Sequence, residues 1–402
     1  MKNPEIRFID DNIDWQNENL SDALIERNTT SYKNNGLEHV SLTKDGVIPK
    51  SDRYERDFLV TTKNKKYKIT KINDICYNPA NMKFGVICRN KYKDGIFSPI
   101  YITFETTEKY SPNFVELLVT NPKFIRASLK YQEGTVYERM AVSPDNLLKM
   151  PISIPNIELQ NKISKIFEDI DIKIKEETGL IQKLKDTKSA LLIKMFPQEN
   201  QSVPELRFDG FTNDWEQRKL RDISKKISEK NTKNEISETF TNSAEYGVIS
   251  QRDFFDRNIT NAENINTYYI VRNEDFVYNP RISTSAPCGP INRNRLNRVG
   301  VMSPLYTVFR TKNIDTLYLE WFFKTPHWYP YMYLNGDTGA RSDRFSIKDE
   351  TFFNMPIPFP NDEEQKKIGT FLETLDKTIT LHQRKLDKLK EVKSALLDKL
   401  LV

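Results

Sequence analysis

The chain is written twice. Pro4-Glu-Ile-Arg-Phe8 recurs as Pro204-Glu-Leu-Arg-Phe208, and Asp14-Trp15 with Leu20 recurs as Asp214-Trp215 with Leu220, each 200 residues later. Further along, Tyr77-Asn78-Pro79 matches Tyr278-Asn279-Pro280, and Ser98-Pro-Ile-Tyr-Ile-Thr-Phe104 matches Ser303-Pro-Leu-Tyr-Thr-Val-Phe309, where the offset reaches 205. It stays there through Met150-Pro151 and Met355-Pro356, Gln160 and Gln365, and Lys188-Ser-Ala-Leu-Leu192 and Lys393-Ser-Ala-Leu-Leu397. Matches in constant order at so steady a spacing mean two copies of one design, not one large domain.

The two copies agree at their ends and part in their middles. Leu37-Glu-His-Val-Ser-Leu-Thr-Lys-Asp-Gly46 has no close counterpart, and the basic run Arg293-Asn-Arg295-Leu-Asn-Arg298 stands only in the second copy. Two modules that do one mechanical job while contacting two different things leave this pattern.

Within each copy, short β-branched and aromatic runs (Lys68-Ile-Thr70, Ile100-Tyr-Ile-Thr-Phe104, Leu305-Tyr-Thr-Val-Phe309) alternate with Gly, Asn and Pro turn clusters. This predicts two α+β globules, over residues 1–155 and 201–360, each with a helix near 111–121 or 315–325. Each globule closes on Met-Pro-Ile-x-x-Pro, where the prolines favour extended chain. The remaining segments, 156–200 and 361–402, are predicted long helices.

From Ile157 to Phe196 there is no proline and a single glycine. Ile163, Phe167, Ile170, Ile174, Ile181, Leu184, Leu191 and Met195 step by four and three, with Glu177 and Lys188 as polar members of the seam. The second copy repeats it as Ile368, Leu372, Leu375, Ile379, His382, Leu386, Leu389, Lys393, Leu396 and Leu400. Such a helix spans roughly 60 Å, longer than a globule of this size needs internally. A seam of that length asks for a partner of equal length, and the other long helix is the one the chain offers. Antiparallel packing as a coiled coil is expected, because parallel packing would oppose Lys188 to Lys393.

At 38% hydrophobic and 29% charged residues the chain can bury ordinary cores. Its start carries charge where a signal peptide needs an apolar core, and no 18-residue apolar run occurs, so a cytoplasmic protein is expected. Cys76, Cys88 and Cys288 lack metal-ligand spacing and are expected as buried free thiols. The formal charge of +5 suits a polyanion partner but decides nothing.

Catalytic signatures are missing. Tyr77-Asn78-Pro79 and Tyr278-Asn279-Pro280 lack the second proline and aromatic of an adenine methyltransferase motif. No G-x-x-x-x-G-K-[ST] loop occurs, and His39, His327 and His382 are scattered, suggesting neither a metal site nor a triad. What remains is contact chemistry: Arg and Lys for phosphates and guanine edges, Asn for adenine edges, Tyr for stacking. The candidates in the first copy are Lys63, Lys65 and Lys66; Tyr77, Asn78 and Lys83; Arg89 and Lys91; and Tyr137 with Arg139. In the second they are Tyr278, Asn279, Arg281 and Ser283; Arg293 and Arg295; and Arg341 with Arg344, beside a glycine turn matched in both copies.

A tandem pair of divergent globules, each closed by Met-Pro-Ile and followed by a long helix bearing Lys-Ser-Ala-Leu-Leu, resembles the specificity subunits of Type I restriction-modification systems. Pro-Glu-Leu-Arg-Phe with Asp-Trp-Glu (204–216) and Ile-Pro-Phe-Pro-Asn-Asp-Glu-Glu-Gln-Lys-Lys-Ile (357–368) carry the likeness, which covers the whole chain. The resemblance implies two target-recognition domains that each read one half of an asymmetric, bipartite site in double-stranded DNA. It implies two modification subunits that bind S-adenosylmethionine and methylate adenine, docked on the helices. Two restriction subunits using ATP and Mg can join, so that this chain itself holds no cofactor and no catalytic site. The readings that compete with it are a stand-alone DNA-binding or anti-restriction module on the same scaffold, and a helical scaffold whose globules bind protein.

Overall fold

The computed structural model describes residues 15–32, 36–53, 66–134, 140–254, 262–338 and 343–401. They fall into two compact units: residues 1–178 with 385–402, and residues 179–384. Each unit joins one globule to parts of both long helices, Ile157–Lys194 and Asp362–Leu400.

In the first unit a four-stranded antiparallel sheet runs in the order Leu24–Glu26, Ile102–Thr106, Ile75–Tyr77, Ile87–Arg89. The second unit repeats that order with Ser224–Ile227, Thr307–Thr311, Phe276–Tyr278 and Ile291–Arg293. Helix Pro112–Thr120 follows the repeated strand of the first copy, and Thr316–Phe323 that of the second. Pro112 supplies a fixed φ at the first turn, where its missing N–H goes unused. In the second copy Asp315 caps the helix by accepting from the Tyr318 amide at 2.8 Å.

The divergence of the middles is visible in the outer strands. The first unit has a second sheet ordered Thr30–Tyr32, Lys66–Thr70, Gly95–Phe97, Glu38–Leu42, Val47–Pro49, with one parallel pairing. In the second unit the corresponding strands form two-stranded ladders, linked by isolated bridges Lys230↔Tyr269 and Thr239↔Val301. The connections survive while the continuous ladder does not.

A matched device fastens each globule to its following helix. Pro151–Ile154 pairs with Gln16–Asn19, and Pro356–Phe359 with Glu216–Lys219, so both Met-Pro-Ile segments are edge strands, where proline is tolerated. The chain then turns into the helix. Asn156 caps it through the Leu159 amide at 3.0 Å, and Asn361 caps the second through the Glu364 amide at 2.9 Å. One turn in, Gln160 accepts from the Ser111 amide (2.9 Å) and donates to the Pro155 carbonyl (2.9 Å). Gln365 makes the same two bonds, from the Asp315 amide and to the Pro360 carbonyl, both at 2.8 Å. Buried glutamines that satisfy backbone groups on two elements fix the angle at which the helix leaves.

The helix ends serve as core. Ile163, Phe167, Leu396 and Leu400 pack with Trp15, Phe104 and Phe114 in the first unit. Met195, Phe196, Ile368 and Leu372 pack with Trp215, Phe309 and Tyr318 in the second. Part of the seam read as helix-to-helix surface is therefore spent on the globules. The positions expected at a helix-to-helix interface, Ile163, Phe167, Ile170, Ile174, Ile181, Leu184, Leu191, Ile368, Leu372, Leu375, Ile379, Leu386, Leu389 and Leu396, are all buried or half-buried. Cys76, Cys88 and Cys288 are free and buried. No helix among the described residues is long and apolar enough to cross a membrane.

Candidate nucleic-acid interface

Each four-stranded sheet has two ends, and they divide the candidate contact residues. The end carrying Ile75 opposite Arg89 is matched by Phe276 opposite Arg293. At the other end Tyr77 stands between Ile87 and Ile102, and Tyr278 between Ile291 and Thr307.

At the Arg89 end the cations are ion-paired, the two arginines Arg89 and Arg293 enclosed and Lys91 exposed. Arg89 donates to Glu116 at 3.1 Å and to Asn73 at 2.6 Å, and Lys91 reaches the same Glu116 at 2.8 Å. In the second unit Arg293 donates to Glu320 at 2.7 Å and to Thr316 at 3.1 Å, and pairs with Glu274. Arg295 reaches Glu320 at 2.7 Å and Glu373 on the second long helix at 3.0 Å. Between them, Asn90 and Asn294 donate to the carbonyls of Lys71 and Lys93, and of Arg272 and Arg298. The expectation that Arg293-Asn-Arg295 is peculiar to the second copy is thus corrected: its counterpart is Arg89-Asn90-Lys91, at an offset of 204 that neither flanking offset reveals. These arginines and Lys91 are committed to carboxylates on neighbouring helices, so a DNA contact is not carried forward for them. Glu116 and Glu320 were legible only as the same offset of 204.

At the opposite end the Asn-Pro turns are built alike. Tyr77 and Tyr278 lie in the cores, with hydroxyls donated to the Val142 carbonyl (3.0 Å) and the Cys288 carbonyl (2.9 Å). Burial pushes both phenols above their ordinary range. These two tyrosines also drop out as contacts. Asn78 accepts from the Ala80 amide at 3.1 Å and Asn279 from the Arg281 amide at 3.0 Å, which folds the turn on itself. Gly85 and Gly289 close the turns with φ of 73° and 81°. At Gly289 a Cβ would stand 2.0 Å from the Asn279 carbonyl oxygen, so only glycine fits.

The side chains left facing solvent at this end are the remaining candidates. Lys83 lies 5.0 Å over the ring of Phe84, itself 61% exposed and not picked out by the sequence. In the second unit Arg281 and Arg344 are exposed partners in an antiparallel bridge, held by the Phe345 amide on the Pro280 carbonyl (2.7 Å) and the Ile282 amide on the Asp343 carbonyl (3.1 Å). Two arginines at bridged backbone positions, neither ion-paired among the described residues, suit an anionic partner. Ser283 is exposed on the same turn. Lys66, the first residue of the inner strand Lys66–Thr70, lies 5.9 Å over the Tyr32 ring. Lys63, Lys65, Tyr137, Arg139 and Arg341 lie outside the described residues. Among the described residues no group of three His, Cys, Asp or Glu side chains is placed to hold a metal.

Comparison with known proteins finds similar chains. Residues 212–391 match the family described as Type I restriction modification DNA specificity domain. It is 23% identical over 325 residues to the Type I restriction enzyme MjaVIII specificity subunit of Methanocaldococcus jannaschii, covering 77% of this chain and 74% of that protein. Two solved structures share its fold. The Type-I restriction-modification system S subunit from M. genitalium aligns with TM-score 0.56 and 13% identity over 100% of this chain and 99% of the other. The HsdS subunit from Thermoanaerobacter tengcongensis aligns with TM-score 0.50 and 16% identity over 96% of each.

Proposed function

We propose that this chain is the DNA-sequence-recognition subunit of a Type I restriction-modification enzyme, with residues 1–155 and 201–360 as target-recognition domains that each read one half of an asymmetric bipartite site. The observation that carries this reading is the matched sheet end: one frame in both copies, closed by Gly85 or Gly289, presenting different exposed side chains. Lys83 and Phe84 stand on the first turn, and Arg281, Ser283 and the neighbouring Arg344 on or beside the second. Arginine pairs suit bidentate contacts to guanine or phosphate.

Catalysis belongs in this reading to partner subunits. Modification subunits would bring S-adenosylmethionine and methylate adenine, and restriction subunits would bring ATP and Mg. The two long helices, 156–200 and 361–402, would pack antiparallel and dock the modification subunits. Support for the direction comes from inside each unit, where Lys188 pairs with Asp376 and Lys393 with Asp171. In both pairs a late residue of one helix meets an early residue of the other.

The test is a domain exchange read by genome-wide methylation. Replacing residues 1–155 by the equivalent region of a relative should change one half of the methylated motif and leave the other. A change in both halves, or a motif indifferent to this gene, would overturn the proposal.

A further inference from the structure

Most residues retained between the copies are retained because they are core. Trp15 and Trp215, Leu20 and Leu220, Phe104 and Phe309, and Met150 and Met355 are all buried. Ile100 and Leu305 break that rule. They hold the same place in Ser98-Pro-Ile-Tyr101 and Ser303-Pro-Leu-Tyr306, yet are 60% and 59% exposed. A single exposed aliphatic residue is ordinary on any surface. An exposed branched aliphatic residue at the same place in both copies, whose surrounding faces have diverged, is not explained by packing.

The turn that carries it is rigid in both copies. The Tyr101 amide donates to the Ser98 carbonyl at 3.1 Å, and the Tyr306 amide to the Ser303 carbonyl at 3.0 Å. Tyr101 is buried edge-on to Phe97 with ring centroids 5.2 Å apart, and the Tyr306 hydroxyl meets the Thr241 hydroxyl at 3.2 Å. Pro99 and Pro304 fix φ just before the exposed side chain. An aliphatic group held this way loses little conformational entropy on contact.

Its position selects the partner. Ile102 lies opposite Tyr77 and Thr307 opposite Tyr278, so each turn sits at the sheet end that bears the Asn-Pro turn. Lys83, Arg281 and the exposed ring of Phe84 are on that end as well. Apolar groups set among unpaired cations fit nucleic acid better than an apolar protein surface. A contact kept while the bases read differ must be to something every duplex offers, and the stacked faces and sugars of a base step are of that kind.

We propose that Ile100 and Leu305 are apolar wedges that press into a base step of duplex DNA, one at each half-site. The proposal rests on the DNA-recognition reading above. A duplex bearing the methylated motif, with 2-aminopurine placed through each half-site in turn, serves as probe for the full chain with whatever subunits co-purify. Wild-type protein should raise 2-aminopurine fluorescence at one step in each half. Ile100→Ala should abolish the rise in one half only and Leu305→Ala in the other, each weakening binding about 10-fold. The salt dependence of binding should keep its slope, because no charge is removed, whereas Arg281→Ala should lower it. Melting temperatures should stay unchanged, since neither side chain is core.

Variants with wild-type affinity and fluorescence would overturn the wedge while leaving DNA recognition intact. Variants that bind DNA normally but lose their co-purifying subunits would overturn it in favour of a protein-docking knob. Wild-type protein that ignores the motif altogether would bring down the recognition reading and the wedge with it.

Discussion

Lys393 is ion-paired with Asp171 across the first compact unit, and Lys188, its match in the repeat, is ion-paired with Asp376 in the second. Both pairs are partly exposed, so each contributes no more than about 1 kcal/mol. Their value is directional. Asp171 adjoins Ile170 and Ile174, and Asp376 adjoins Leu375 and Ile379, which are the layers an antiparallel seam assigns to these lysines. Ile170→Cys combined with Lys393→Cys should therefore form a disulfide readily on mild oxidation, as non-reducing electrophoresis of the purified chain would show. Efficient bonding of Lys188→Cys with Lys393→Cys in its place would make the helices parallel.

Arg89 and Arg293 should prove structural. Arg293 and its partner Glu320 are nearly enclosed, at 10% and 9% side-chain exposure, so removing the guanidinium leaves the carboxylate in a poorly solvated place with Arg295 as its remaining cation. Arg293→Ala should cost about 2 to 4 kcal/mol, and Arg89→Ala somewhat less because its pair is more open. Denaturant unfolding gives the number. At a temperature where both variants are folded, the methylated motif should be that of the wild type, and a relaxed base position would return these arginines to the reading face.

Arg281 and Arg344 should behave differently. If either reaches a base edge, its replacement by Ala costs about 1 to 3 kcal/mol of binding and relaxes one position of the motif. A phosphate contact would weaken all sequences alike and lower the salt slope by about one. Affinity measured on matched and mismatched duplexes at two salt concentrations separates the cases, and unchanged affinity in both variants would place this bridge away from DNA.

The frame was legible in the sequence because the residues that build it are needed twice. Gln160 and Gln365 could be matched by offset alone, and each turned out to tie a helix start to a neighbouring loop. The heptads gave the helices nearly to their ends. What could not be read was the direction in which a side chain leaves its strand. Arg89-Asn90-Lys91 and Asn78 to Lys83 both read as contact clusters in the text, yet they sit at opposite ends of one sheet, and only the first has a glutamate waiting on the adjacent helix. Tyr77 and Tyr278 misled for a related reason. A tyrosine beside Asn-Pro offers the same chemistry whether its hydroxyl faces water or a buried carbonyl, and the Val142 and Cys288 carbonyls that decide the matter lie far along the chain or across a turn.

A pH dependence should arise where the first long helix ends. His327 Nε2 is 3.0 Å from the Ile193 carbonyl, in the last turn of Ile157–Lys194, and the matched position in the first unit is Lys123, bonded to the Asp398 carbonyl at 2.7 Å. A cation there would suit the negative end of the helix dipole. Burial opposes it, however, and is the larger cause, so the His327 imidazole is held below its usual range while Lys123 stays solvated. A base whose affinity for protons falls on folding binds fewer of them in the native state than in the unfolded one. Stability from this group is therefore fully present above the ordinary histidine pKa of about 6.5, and is lost as pH falls through that value towards the depressed native one. The chain holds two further histidines, so the informative quantity is a difference. Melting temperatures of the wild type and of His327→Gln, taken between about pH 5 and 8, should converge at the acid end, with the wild type declining more steeply below about 6.5. Parallel curves would mean that His327 titrates alike in both states, and that the imidazole at this helix end is open to water.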